Sequence, residues 1–199
     1  MSLPNQIAKL KYARISIPIN AECESYTMGD VFDFLDKNTG LTEEFIYNNT
    51  NPLMKQYPIY TASYEPIGYL PADMVKDGEA LKVCDGEVIV IFRQGYAGLM
   101  YIPNEIPFFA SEHTIPIRPK PDFRKKINPR WFMKYYESEV LHYVTGKADS
   151  RNFSELAFKK IPLLLPPKKW QDDCAIMYEI MDKKLQSLES TLKNVSIKI

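Results

Sequence analysis

From Cys174 the chain places an apolar residue at alternating steps of four and three, through Tyr178, Met181, Leu185, Leu188 and Leu192 to Val195. That is a heptad seam of about three heptads. It begins just after Pro166-Pro167, where regular structure must stop and the composition shifts to helix formers. A helix of about 26 residues is roughly 39 Å long, more than a small domain needs to cover its own core. The spacing therefore predicts a globular body with a C-terminal helix over 168–199, part of which projects. Such a seam either pairs with another helix or packs onto its own domain.

At 199 residues the chain has room for one domain with a sizeable core plus this one appended element. Residues 1–25 read as irregular. Thr27 with Asp30 suits a helix start, and Met28, Val31, Phe32 and Leu35 keep helical spacing until Asn38-Thr39-Gly40. Past Asn48–Pro52 the residues turn β-branched and aromatic, with turn residues every few positions. YPIY (57–60), IGYL (67–70), ALKVC (80–84), EVIVIF (87–92), GLMYI (98–102) and HTIPI (113–117) read as short strands. Asn128-Pro129 marks a helix start, with an aromatic face of Trp131, Phe132, Tyr135 and Tyr136 behind it. Ser154 caps one or two turns through Lys160, and IPLLL (161–165) is a last strand. The expected class is α+β: a compact mixed-sheet or barrel-like domain over 26–167, with flanking helices and a long C-terminal coiled-coil helix.

The 25 basic and 25 acidic residues cancel, and the pI is near 6.7, so bulk charge points to no polyanionic partner. The distribution is uneven. Seven basic residues stand against Asp122 alone between Arg118 and Lys134, and seven acids against Lys37 alone between Glu22 and Glu44. The three cysteines, Cys23, Cys84 and Cys174, have neither disulfide nor zinc spacing, and no apolar run approaches the length of a membrane span. A cytoplasmic protein with reduced thiols is expected, which leaves the sequon at Asn48 without meaning.

Few motifs suggest chemistry. Ser111-Glu112-His113 invites a hydrolytic reading, but no nucleophile elbow, zinc motif or matched Cys/His pair accompanies it. RQGYAG (93–98) is more telling. Gly95 and Gly98 permit a tight turn that presents Arg93, Gln94 and Tyr96 between two strands. Arg and Gln carry the forked donors and acceptors that match guanine and adenine edges in the major groove.

The succession of motifs goes further. YPIYTASYEPIGYL, GEVIVIFRQGYAGLMYI, FFASEHTIPIRP, INPRWFMKYY, TGKADSRNFSELAFKKIPLLLPP and a Gln-bearing heptad helix arrive in one order. That order resembles the target-recognition domain and spacer helix of the DNA-specificity subunits of type I restriction-modification systems, over roughly residues 26–193. The resemblance implies a subunit without catalysis that reads a DNA half-site and directs methyltransferase and restriction subunits, with S-adenosylmethionine held only by the methyltransferase. It implies DNA contacts from Thr61, Ser63 and Tyr64, from Arg93, Gln94 and Tyr96, from Glu112 and His113, and from Lys147, Arg151 and Asn152. Lys125 and Lys126 are candidates for phosphate contact. The family's usual chain carries two such domains and two helices, whereas this one carries a single copy. A homodimer paired through Cys174, Tyr178, Met181, Leu185, Leu188, Leu192 and Val195 is the expected consequence. The competing readings are a coiled-coil protein-interaction module without DNA readout, or a small hydrolase using Ser111 or His113.

Overall fold

The computed structural model describes residues 5–7, 15–18, 22–147 and 150–196, with side chains of the last helix described to Lys193. The strands form two four-stranded sheets rather than a closed barrel. In the first, β3 (Gln56–Tyr60) lies between β4 (Gly68–Pro71) and β10 (Phe108–Ala110), and β7 (Val83–Cys84) completes the edge. In the second, β11 (Thr114–Pro119) lies between β2 (Phe32–Phe34) and β8 (Ile89–Phe92), which pairs onward with β9 (Met100–Tyr101). β1 (Glu24–Thr27) pairs with β12 (Pro162–Leu165), and β5 (Val75–Lys76) with β6 (Glu79–Ala80).

The unbroken apolar run of β8 is explained by what covers it. Ile89 and Ile91 point into the main core, while Val88, Val90 and Phe92 point into a second cluster with Tyr60, Cys84, Tyr101 and Phe108. A strand buried on both faces loses the polar alternation of a surface strand. The main core lies between this sheet and the helices α3 (Pro129–His142), α4 (Glu155–Lys160) and α5 (Lys168–Ser196), with Trp131, Phe132 and Phe158 at its centre. Asn128 caps α3, its side-chain oxygen accepting from the N–H groups of Arg130 and Trp131 at 3.0 and 3.1 Å, and Ser154 caps α4 through the N–H of Ala157.

Four expectations need correction. The helix at Met28 is a single turn, α1 (Met28–Val31), because Phe32 to Phe34 are drawn into β2 by pairing with β11. The Thr27–Asp30 contact is real, the carboxylate accepting from the backbone N–H at 2.8 Å and from the hydroxyl at 2.7 Å. A helix missed in the sequence, α2 (Glu43–Asn49), starts on Thr42, whose side chain accepts from Phe45 N. Strand β10 was likewise hidden, and β1 takes in Glu24 and Ser25 from the segment expected to be irregular.

One pairing positions the site. β3 and β10 run parallel, Ala110 opposite Tyr60, so both strands deliver their C-terminal ends to the same rim. β8 also ends there and β11 begins there, Phe92 opposite Thr114.

Candidate nucleic-acid interface

Three turns meet at that rim and are tied together by backbone hydrogen bonds. The RQGYAG turn closes with Gly98 N–H donating to Phe92 O at 2.9 Å and Leu99 N–H to Tyr96 O at 3.1 Å. Gly98 has φ +87°, and a Cβ there would come within 2.7 Å of Val144, so this glycine is needed both for its backbone angle and for close packing against the end of α3. Gly95, at φ +66°, faces open space. The N–H of Arg93 donates to His113 O at 2.9 Å, and the carbonyl of Arg93 accepts from Phe153 N–H at 2.9 Å. Gln94 also bridges to Asn152, which pairs back to Thr145 through two 2.9 Å bonds. The turn at 93–98, the turn at 111–114 and the loop closed by Thr145 and Asn152 are therefore one backbone-locked surface.

The loop after β3 joins through Tyr64. Its ring packs on Phe92 and Tyr101, centroids 5.0 and 5.4 Å apart, and the residue keeps 49 % of its surface exposed. Burial, and then the charge of Glu137, raises the pKa of its hydroxyl, while the Glu137 carboxyl is itself raised by burial. Thr61 and Ser63 are half-buried, with Ser63 Oγ accepting from Glu65 N–H at 3.3 Å. Tyr96 stands out at 68 % exposure. Gln94, His113, Lys147, Arg151 and Asn152 are exposed as well.

Other expected contacts face elsewhere. The half-buried Arg93 leans back, its guanidinium 3.5 Å from the carbonyl oxygen of Glu112. Glu112 turns inward, with Oε1 accepting from Gly40 N–H at 3.1 Å and Oε2 buried without a partner. Lys125 and Lys126 follow the far end of β11, the length of a six-residue strand from the rim, or roughly 20 Å. Lys126 pairs there with Glu24 at 3.1 Å. The structure thus gathers the four loops and leaves the basic run at the opposite end. Ser111 and His113 do not form a catalytic pair: Ser111 Oγ accepts from His113 backbone N–H at 3.2 Å, while the imidazole Nδ1 meets Gln94 Oε1 at 3.0 Å.

The family model described as "Type I restriction modification DNA specificity domain" matches residues 20–196. The chain belongs to that family. The specificity domain shares its fold with the HsdS subunit from Thermoanaerobacter tengcongensis, at TM-score 0.61 and 13 % identity over 95 % of this chain and 44 % of that one. The type I restriction-modification S subunit from M. genitalium matches at TM-score 0.57 and 16 % identity, over 98 % and 50 %. A structure described as showing complex assembly and conformational transition of the type I R-M system matches at TM-score 0.66 and 13 % identity, over 98 % and 47 %. The chain spans about half the length of these structures. No curated protein matches its sequence.

In this specificity domain the long helix is anchored by its first turns. Cys174 and Tyr178 are buried in the chain's own core and Met181 packs against it, so the start of the heptad seam is already occupied. Leu185, Leu188 and Leu192 lie beyond the core, half-buried, and the side chain of Val195 is outside the described residues. Met177 flanks the seam, whereas Ile176 and Ile180 lie round on the far side of the helix, and each of the three is more than half exposed. Gln171 sits one step before Cys174 on the same face, fully buried. Its Oε1 accepts from Asn128 N–H at 2.8 Å, and its Nε2 donates to the carbonyls of Lys126 and Pro166, each at 2.8 Å. Sequence reasoning gave this glutamine no role, although a polar residue continuing an apolar seam was the available signal. No helix among the described residues is long and apolar enough to cross a membrane.

Proposed function

We propose that this chain is a DNA-reading subunit of a type I-like restriction-modification system, binding one half-site of duplex DNA through the rim and directing methyltransferase and restriction subunits to it. The observation that carries the reading is the rim itself. Three sequence-distant loops are locked backbone to backbone and a fourth packs on them through Tyr64, so the main chain carrying the exposed Gln94, Tyr96, His113, Lys147, Arg151 and Asn152 is held in place while their side chains are not needed for the core. Preorganised hydrogen-bonding groups on a rigid scaffold are what direct base readout requires. The chain itself performs no methyl transfer or cleavage, and S-adenosylmethionine belongs to the methyltransferase, in the reducing cytoplasm where the three thiols stay free. Selecting bound duplexes from a random pool, with the cognate methyltransferase present, tests this. A shared half-site whose affinity falls with salt is the expected result, and retention of no duplex at any salt refutes the reading.

The part of the helix that runs on beyond the chain's own core supports a homodimer. With Cys174 and Tyr178 taken by the core, the pairing surface is Leu185, Leu188, Leu192 and Val195, extended by the exposed Met177. Two copies would then read an interrupted palindrome. Light scattering should show a dimer for the parent and a monomer for the Leu185→Lys, Leu188→Lys double variant. A parent that is monomeric with its methyltransferase present ends this part of the proposal.

A further inference from the structure

We propose that Lys76 and Lys82 grip the phosphate backbone of the duplex along the side of the rim away from Lys147 and Arg151; this rests on the DNA-reading function above. Two further segments reach that rim. The chain leaving β2 runs toward the start of β11, Leu35 N–H donating to Pro116 O at 2.9 Å. β7 is antiparallel to β10 with Val83 opposite Phe109, so Lys82 stands level with Ala110 at the rim. The buried Asn38 stitches both segments to it. Its N–H donates to Ala110 O at 2.8 Å, its Nδ2 to Lys82 O at 2.9 Å, and its Oδ1 accepts from Lys82 N–H at 2.7 Å. Asn38 also pairs with Ser111 of the 111–114 turn. A single hydrogen-bonded row therefore crosses the rim from Asn152 through Gln94, His113 and Asn38 to Lys82.

Lys76 reaches the same side from the β5–β6 hairpin. A Cβ on Gly40 would lie 3.1 Å from its Nζ, and Gly40 N–H is the donor to Glu112 of the 111–114 turn. Lys76 and Lys82 line one open pocket of about 260 Å³ with Thr39, Asp77 and Glu79. Lys82 is exposed and has no ion pair among the described residues. Lys76 is paired with Asp77, whose side chain is 85 % exposed, and a carboxylate held that loosely can give way to a phosphate. Lys37, at the same pocket, is already taken by Glu155. Chemistry and place then name the ligand. A lysine ammonium is a compact charge that donates and cannot accept, which suits a phosphate oxygen better than the mixed edge of a base. At about 4.8 Å per neighbouring chain, the row from Asn152 to Lys82 is on the order of 20 Å wide, against about 12 Å for the major groove. With Gln94, Tyr96 and His113 over the groove, Lys147 and Arg151 meet one phosphate wall, and Lys76 and Lys82 the other.

The test uses the full chain with its cognate methyltransferase, on a duplex selected from a random pool and on its single mismatches, over a series of salt concentrations. Lys76→Gln and Lys82→Gln should each lower the slope of log affinity against log salt by about one unit, and weaken matched and mismatched duplexes by the same factor. Lys82→Arg keeps the charge and should keep the parent's slope, which separates lost charge from a disturbed fold. Lys125→Gln, at the opposite end of the domain, should leave slope and affinity unchanged. Replacing the duplex phosphates one at a time by uncharged methylphosphonates should reveal a phosphate whose penalty disappears in Lys82→Gln. The parent's slope in either Gln variant overturns the proposal. So does a loss confined to one base pair, which would make the lysines readers of sequence, and in both cases the DNA-reading function stands. A parent that binds no duplex at any salt refutes that function itself.

Discussion

Replacing Gln171 by Leu should loosen the joint between the globular body and the long helix, and the structure sets the size of the effect. The side chain is fully buried and fills three backbone hydrogen-bonding groups: Asn128 N–H, Lys126 O and Pro166 O. A leucine of similar size leaves all three unmet. Each unmet group in a dry site costs about 1–3 kcal/mol. The Pro166 contact is the fully buried one, while the other two lie where water can partly reach them. The greater apolarity of leucine returns about 1–2 kcal/mol, which leaves a net loss of about 2–4 kcal/mol. At this chain length that corresponds to a fall in Tm of about 5–15 °C.

Urea denaturation followed by circular dichroism measures the loss. The chain's only two tryptophans, Trp131 and Trp170, pack edge to face at this joint, centroids 6.2 Å apart, so their fluorescence reports on it locally. The expected variant is folded, with altered tryptophan emission and a lower midpoint. Gln171→Glu keeps an acceptor for Asn128 but sets a carboxylate against two carbonyl oxygens. It should be at least as damaging at neutral pH and should recover as pH falls and the carboxyl regains a donor proton. A loss below about 0.5 kcal/mol for Gln171→Leu, the range of ordinary surface changes, with unchanged emission, would refute the reasoning: the helix would then be held by its apolar contacts alone.

Tyr136→Phe should cost about 1–3 kcal/mol in urea denaturation, because its hydroxyl donates to Leu164 O at 2.8 Å and accepts from Leu164 N–H at 2.7 Å, standing in for a strand along the free edge of β12. Gly98→Ala should destabilise the fold by about 1–3 kcal/mol and displace the 93–98 turn, since its Cβ would lie 2.7 Å from Val144 at φ +87°. Gly95→Asn, in open space at φ +66°, should cost under about 1 kcal/mol. Hydrogen bonding from Asn128, and then from Lys168, holds the Asp172 carboxyl below its ordinary range. Its contribution is thus complete above the unfolded carboxylate value and lost as pH falls through the lowered folded one. Asp172→Asn should flatten the stability profile between about pH 5 and pH 2, and an unchanged slope there would show that the contact is inert.

Much of the fold was legible because local signals and tertiary demands agreed. Asn128-Pro129 and Ser154 are capping residues in both sequence and structure, and EVIVIF is a buried strand in both. Where the two disagreed, pairing overrode periodicity. Met28 to Leu35 have helical spacing, yet Phe32 to Phe34 give β11 its neighbour and take the extended form. Phe108 to Ala110 lie just past two prolines, Pro103 and Pro107, and carry no alternation, so nothing local announced the strand that sets the parallel pairing. The loops of the candidate site were legible as loops. Their meeting was not, because it depends on that pairing. The orientations of Glu112 and Lys126 were hidden for the same reason: charge in a sequence has no direction until strands give it one.

The parallel β3–β10 pair also separates the exposed side chains of the candidate site from the residues that hold the fold. Had β10 run antiparallel to β3, it would deliver its other end to the rim, and the 111–114 turn would leave from the far edge. With the parallel pairing, Ser111 N–H donates to Tyr60 O at 3.1 Å, and the turn emerges beside the loop after β3. Arg93 has both backbone groups bonded across the rim, so the turn is held by main chain and by Gly98 packing. Gln94 and Tyr96 project from it without entering either hydrophobic cluster. Substitutions there should stay within about 0.5 kcal/mol in stability, whereas those at the Gln171 joint should not. The side chains of the rim can therefore change, and under the proposed function the sequence read with them, while the strands that carry them and the joint that orients the long helix remain as they are.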